Sequence, residues 1–186
     1  MTESATTNAA TMPEDPRAGP HVGSRTGYVA FFKVLPGHEQ TLREILAAGQ
    51  ADPKVIEALR EIGTLHEFRW VLFDNDRRMM FCSSFDGSWE QYIKDFAAMA
   101  IGGMIDNALQ HVEGWVGIHD PRASECLLGY GVLAVGYNCA YPQPTVKQVW
   151  RALAVEQAFE QVLNNPGAAE ALQNPALKPL ADLAAD

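Results

Sequence analysis

The stretch TLHEFRWVLFDNDRRMMFCSSFDGSWEQY (64–92) decides the fold. Residues 64–73 are dominated by aromatic and β-branched or other apolar side chains, which reads as a strand. Asn75-Asp76 is a turn pair, since both residues tolerate left-handed backbone. Residues 78–85, RMMFCSSF, return as the hairpin partner. Asp86-Gly87 breaks the strand, and Ser88 with Gln91 resembles a capping box that opens a helix. A two-residue loop at 75–76 sets Trp70 opposite Phe81 and Leu72 opposite Met79. Side chains alternate along a strand, so His66, Phe68, Trp70 and Leu72 are expected on one face. Leu65, Glu67, Arg69 and Val71 are expected on the other, with Met80 and Cys82 opposite. The first face is nearly all apolar and should lie under helices. The second should meet water or a second sheet.

Working outward, residues 27–35 read as a strand that Pro36-Gly37 ends. The segment 38–50 carries Leu42, Ile45 and Leu46 at helical spacing. Asp52-Pro53 opens a further helical stretch through Val55, Ile56 and Leu59, and Gly63 closes it. On the other side a long helix is expected from Ser88 to about Gln110, with Trp89, Ile93, Phe96 and Ala100 as its buried stripe. Gly102 and Gly103 in AAMAIGGM (97–104) each cost that helix about 1 kcal/mol against Ala. They leave either close packing against the C-terminal helix or a space that Met99 and Met104 line. Residues 114–119, GWVGIH, read as a fourth strand.

The resulting order, β-α-β-β-α-β, is the ferredoxin-like α+β unit: a four-stranded antiparallel sheet with helices on one face. Residues 1–26 are expected to be a flexible tail, 27–120 the domain, and 121–186 a C-terminal helical extension packed on the same domain. That extension holds an apolar run cut by glycines (127–142), the helix VKQVWRALAVEQAFEQVL (146–163), and an Ala- and Pro-rich end. Tyr137, Tyr141 and Trp150 are expected at a rim under that helix.

A chain of 186 residues suits one domain. With 14 Lys+Arg against 23 Asp+Glu the net charge is −9, which disfavours nucleic acid and anionic membrane as partners. No apolar run is long enough to span a bilayer, and the N-terminus lacks the apolar core of a secretory signal. Cys82, Cys126 and Cys139 form no CxxC pair, which fits reduced thiols and a cytoplasmic location. GxGxxG, GxxxxGK[ST], HExxH and GxSxG motifs are missing, and no His or acidic pair has zinc spacing, so no metal is expected.

His66 is the one titratable group on the expected apolar face. A neutral imidazole there serves as base, hydrogen-bond donor or ligand; the structural alternative is a core histidine bonded to a neighbour. Arg69 and Glu67 form an i, i+2 pair, read either as a surface ion pair or with Arg69 as an anion clamp. A one-residue bulge would change which face Arg69 shares. His111 closes the long helix in QHVEGW, either stabilised by the helix dipole or acting as acid or axial haem ligand. Phe68, Trp70, Phe81, Tyr92 and Met99 are the expected substrate-binding residues, His38 and His119 surface residues, and His21 part of the tail.

VLPGHEQ, GTLHEFRWVLF, RMMFCSSFDGSWEQYIKDF and HVEGW together resemble the dimeric α/β-barrel superfamily over residues 27–120. The H-x-x-R-W strand followed by FDGSW is similar to bacterial members found beside oxidative enzymes. The resemblance implies a homodimer built by two sheets meeting face to face, with a small-molecule pocket between sheet and helices. It implies an enzyme of oxidative or secondary metabolism acting on an apolar or aromatic substrate, with His66 and Arg69 catalytic. Haem-dependent peroxidase, oxygenase or dehydratase chemistry, a cofactor-free monooxygenase or cyclase, and a non-catalytic ligand-binding or stress-response barrel all belong to that range. The GxxDG motif of dye-decolourising peroxidases is missing, because FDGSW has no Gly three residues before Asp86.

Overall fold

A computed structural model describes residues 15–183. The chain divides after Val146 into two compact units. The first holds one antiparallel sheet in the order β1-β2-β4-β3, from β1 (His21–Val22), β2 (Arg25–Lys33), β3 (Leu65–Phe73) and β4 (Arg78–Asp86). Its helices are α1 (Glu39–Ala51), α2 (Pro53–Ile62), α3 (Trp89–Ala98), α4 (Ala100–Leu109) and α5 (Ala123–Tyr130). The second contains the body of α6 (Val146–Leu163), then α7 (Ala169–Leu172) and α8 (Lys178–Leu183). Asn165 and Asn174 each cap a short turn there, just before a proline.

The hairpin register is the expected one: Trp70 faces Phe81 and Leu72 faces Met79. The loop is longer than two residues, spanning 74–77, with left-handed φ of 57°, 54° and 64° at Asp74, Asn75 and Asp76. Adding one residue on each side of the turn leaves the cross-strand sum, and so the pairing, unchanged. Asp52 caps α2 through the Lys54 N–H, and left-handed Gly63 closes it, as its sequence signals require.

Three expectations need correction. The segment 114–119 is not a strand. Gly114 and Gly117 take left-handed φ of 81° and 99°, and Asp106 accepts from the Trp115 indole and the Ile118 N–H, folding the segment back on α4. Two isolated bridges stand beside β2 instead, Gly131 opposite Ala30 within it and Val112 opposite Val34 just past its end. The sheet is thus α+β and antiparallel, but its fourth strand is the two-residue β1. The outer edge of β2 is covered piecemeal: Pro20 accepts from Gly27, Val132 donates to Val29, and Glu113 donates to Lys33.

The helix expected from Ser88 to Gln110 breaks at Met99, whose backbone is extended. Gly102 explains the break, because the chain doubles so tightly that a Cβ there would stand 2.3 Å from the Phe96 carbonyl oxygen. The tail does not extend to residue 26: Ala18, Val22 and Thr26 are buried, and His21 bonds Thr26 Oγ1. Residues 1–14 of that expected tail lie outside the described residues.

The core lies between the sheet and its helices. Tyr28, Phe32, Met79 and Phe85 point into it from the strands, meeting Leu42, Ile101 and Leu109. Phe85 and Tyr92 stack with centroids 3.8 Å apart, and the Tyr92 hydroxyl donates to Ser83 Oγ. Complete burial pushes the Tyr92 phenol well above its ordinary range.

Candidate functional site

A cavity of about 850 Å³ opens between the sheet and the α1, α2 and α4 helices. Phe68, Trp70, Leu72 and Phe81 form its floor. The Trp70 and Phe81 rings lie 4.3 Å apart, and Phe68 adds a third ring 6.0 Å from Phe81. Leu46, Val55 and Leu59 make one wall, and Phe96, Ile101, Met104 and Ile105 the other. Its size and apolar lining suit an organic molecule of metabolite size.

The mouth carries Arg43, Asp52, Glu67, Arg69 and Asn107. Both arginines already have partners: Arg43 binds Asp76 through two contacts, and Arg69 Nη2 lies 3.0 Å from Glu67 Oε1. Asp76 holds the Arg43 guanidinium above its ordinary pKa, and Arg43 holds the Asp76 carboxyl below its own. β3 is the sheet edge, so side chains from both its faces reach this mouth.

Of the expected substrate-binding residues, Phe68, Trp70 and Phe81 come together here, and Arg69 stands at the mouth. Met99 does not line the cavity; Met104 does. Tyr92 lines a separate inner space of about 20 Å³, room for about one water.

His66 does not line either space. The pairing slips at the base of β3, where Leu65 faces Phe85 and Glu67 faces Ser84. Two residues, His66 and Glu67, therefore oppose one, and His66 leaves the helix-covered face. Its Nε2 lies 2.8 Å from Asp86 Oδ1, with both side chains nearly buried. The other Asp86 oxygen accepts from the Val146 N–H at 2.7 Å. The bulge comes before Glu67, so Arg69 keeps its expected side of the strand.

His111 is also away from the cavity. Its Nδ1 lies 2.8 Å from His38 Nδ1, at the point where Leu35 donates to the His111 carbonyl. Burial, and then His38, lower the His111 pKa. His38 is half-buried in this pair instead of a free surface residue. Neither His66 nor His111, the histidines expected as axial haem ligands, lines the cavity.

The reverse face of the sheet carries polar groups that sequence reading did not connect. Arg25 is 8 % exposed, and its Nη1 donates to Cys139 Sγ at 3.3 Å. Ser84 Oγ and the Tyr137 hydroxyl lie 2.8 Å apart. Arg25 and Asp86 are cross-strand neighbours, a pairing that follows once β2 and β4 are placed side by side. Cys139 and Tyr137 carried no comparable signal, being in an irregular segment. Among the described residues no group of three or more His, Cys, Asp or Glu is placed to hold a metal ion, and no helix is long and apolar enough to cross a membrane. No protein-family model, curated protein or solved structure matches the chain.

Proposed function

We propose that this chain binds a neutral apolar or aromatic small molecule in the cavity between its sheet and helices. The observation that carries this reading is the 850 Å³ aromatic-floored cavity whose two mouth arginines are already paired with carboxylates. An anionic ligand would have to displace Glu67 or Asp76 from an arginine, whereas a neutral ring needs no such exchange. The chain is, on this reading, a ligand-binding member of the range the sequence suggests, in a cytoplasmic setting of oxidative or secondary metabolism.

The test is a fluorescence titration with N-phenyl-1-naphthylamine, a neutral apolar probe. The wild-type chain should bind it saturably. Leu46→Trp/Met104→Trp, which fills the space from facing walls, should abolish binding while the far-ultraviolet circular dichroism is unchanged. Equal binding by both proteins, or none by the wild type, overturns the reading.

A second reading, an enzyme that transforms the same ligand, is favoured by Arg69 at the mouth. There Arg69 steadies a polar substituent or a charge that develops during reaction, and the reactivity comes from the substrate itself. Arg69→Gln would then lower turnover without changing probe affinity. We also propose a homodimer through the sheet face that bears Phe31, Val71, Phe73 and Met80. Val71 is 39 % exposed there, and the other three are partly so. Sedimentation at micromolar concentration should show a dimer that Val71→Glu dissociates; a wild-type monomer contradicts it.

A further inference from the structure

We propose that Cys139 is a reactive thiol that hydroperoxides oxidise to a sulfenic acid, with Arg25 beneath it as the stabilising cation. Arg25 is more than nine-tenths buried, yet no carboxylate of the described residues pairs with it. Its Nε has no hydrogen-bond partner, and its Nη1 is committed to the Cys139 sulfur. The Tyr141 ring lies over the guanidinium at 5.4 Å. The nearest acid by strand register, Asp86, is taken up by His66 and the Val146 N–H. A buried cation with a free donor and only a thiol and a ring for company is half of an ion pair.

The thiol is held over that cation from both sides. Tyr137 bonds Ser84 and packs against Gly27, where a Cβ would come within 3.1 Å of its ring. On the far side, Ser24 donates to the Pro142 and Gln143 carbonyls. Cys139 itself remains half-exposed, within reach of a small oxidant.

The step balances without another reactant. The thiol proton leaves to water, and the sulfur attacks one peroxide oxygen. An S–O bond forms as the O–O bond breaks, the sulfur losing two electrons to the peroxide. The leaving oxygen takes a proton from water and departs as water or an alcohol. Arg25 offsets the negative charge on sulfur during attack, and the added oxygen supplies the acceptor that Nε lacks.

The other two thiols are internal controls. Cys126 donates to the Gly114 carbonyl, and Cys82 is held above its ordinary pKa mainly by burial. The native full chain would be treated with hydrogen peroxide, trapped with dimedone, and the three sites read by peptide mass spectrometry. Cys139 should be labelled at least about tenfold faster than either control. Arg25→Gln should remove that advantage and Arg25→Lys retain part of it. Cys139 labelled no faster than Cys126, or a folded Arg25→Gln chain labelled at the wild-type rate, overturns the proposal. Where Arg25→Gln does not fold, the wild-type ranking of the three sites decides alone.

Discussion

The two faces of the sheet divide space from chemistry. The helix-covered face holds Tyr28, Phe68, Trp70, Phe81 and Phe85 and encloses the ligand-sized cavity. The reverse face carries the His66–Asp86 pair, the Arg25–Cys139 contact and the Glu67–Arg69 pair. One backbone produces both, because consecutive side chains leave a strand in opposite directions. Room for an organic molecule therefore lies on one side and most of the groups able to move a proton or electron on the other. A ligand in the cavity meets the reverse face only at the edge strand, where Glu67 and Arg69 reach the mouth.

That division can be broken most forcefully from the apolar side. Phe81→Ala should destabilise the chain by about 3–5 kcal/mol in urea unfolding, since a buried ring at the centre of the floor leaves a cavity its neighbours cannot close. It should also weaken binding of the neutral probe.

A smaller effect is expected on the reverse face. His66→Ala strands the nearly buried Asp86 carboxylate with only the Val146 N–H, at a cost of about 1–3 kcal/mol. Probe affinity should stay at the wild-type value. A parallel loss of affinity would mean that His66 acts on the cavity after all.

The His38–His111 contact lies outside both faces and sharpens the comparison through pH. Burial and His38 lower the folded-state pKa of His111, so the unfolded chain binds the proton more readily. Stability from this group is present above the ordinary histidine pKa and is lost as pH falls through it toward the lowered folded value. The melting temperature should drop on acidification through that window, and His111→Gln should flatten the drop. The smallest effect belongs to Arg69→Gln. An exposed pair is worth about 0–1 kcal/mol, so the melting temperature should barely move.

Much of this was legible in residues 64–92. The Trp70–Phe81 and Leu72–Met79 pairs follow from the turn position, because symmetric lengthening of the loop preserves them. The floor of the cavity was legible with them. The base of the hairpin was misread by assuming unbroken alternation through Leu65-His66-Glu67-Phe68. Two apolar residues three apart, with two polar residues between, cannot share a face in a regular strand. The bulge resolves this by placing Leu65 against Phe85 and sending His66 to Asp86. The missing fourth strand has a similar cause. GWVGIH has strand-like composition, but its two glycines permit bends that Asp106, a helical residue upstream, makes favourable. Contacts to Cys139 come from an irregular segment whose path no periodicity encodes.

The most direct measurement follows backbone and methyl NMR signals as the neutral probe is added. The account predicts shifts at Trp70, Phe81 and the Met104 methyl, with Arg25, His66 and Cys139 unmoved. Shifts concentrated at His66 and Arg25, or spread evenly over both faces, would contradict it.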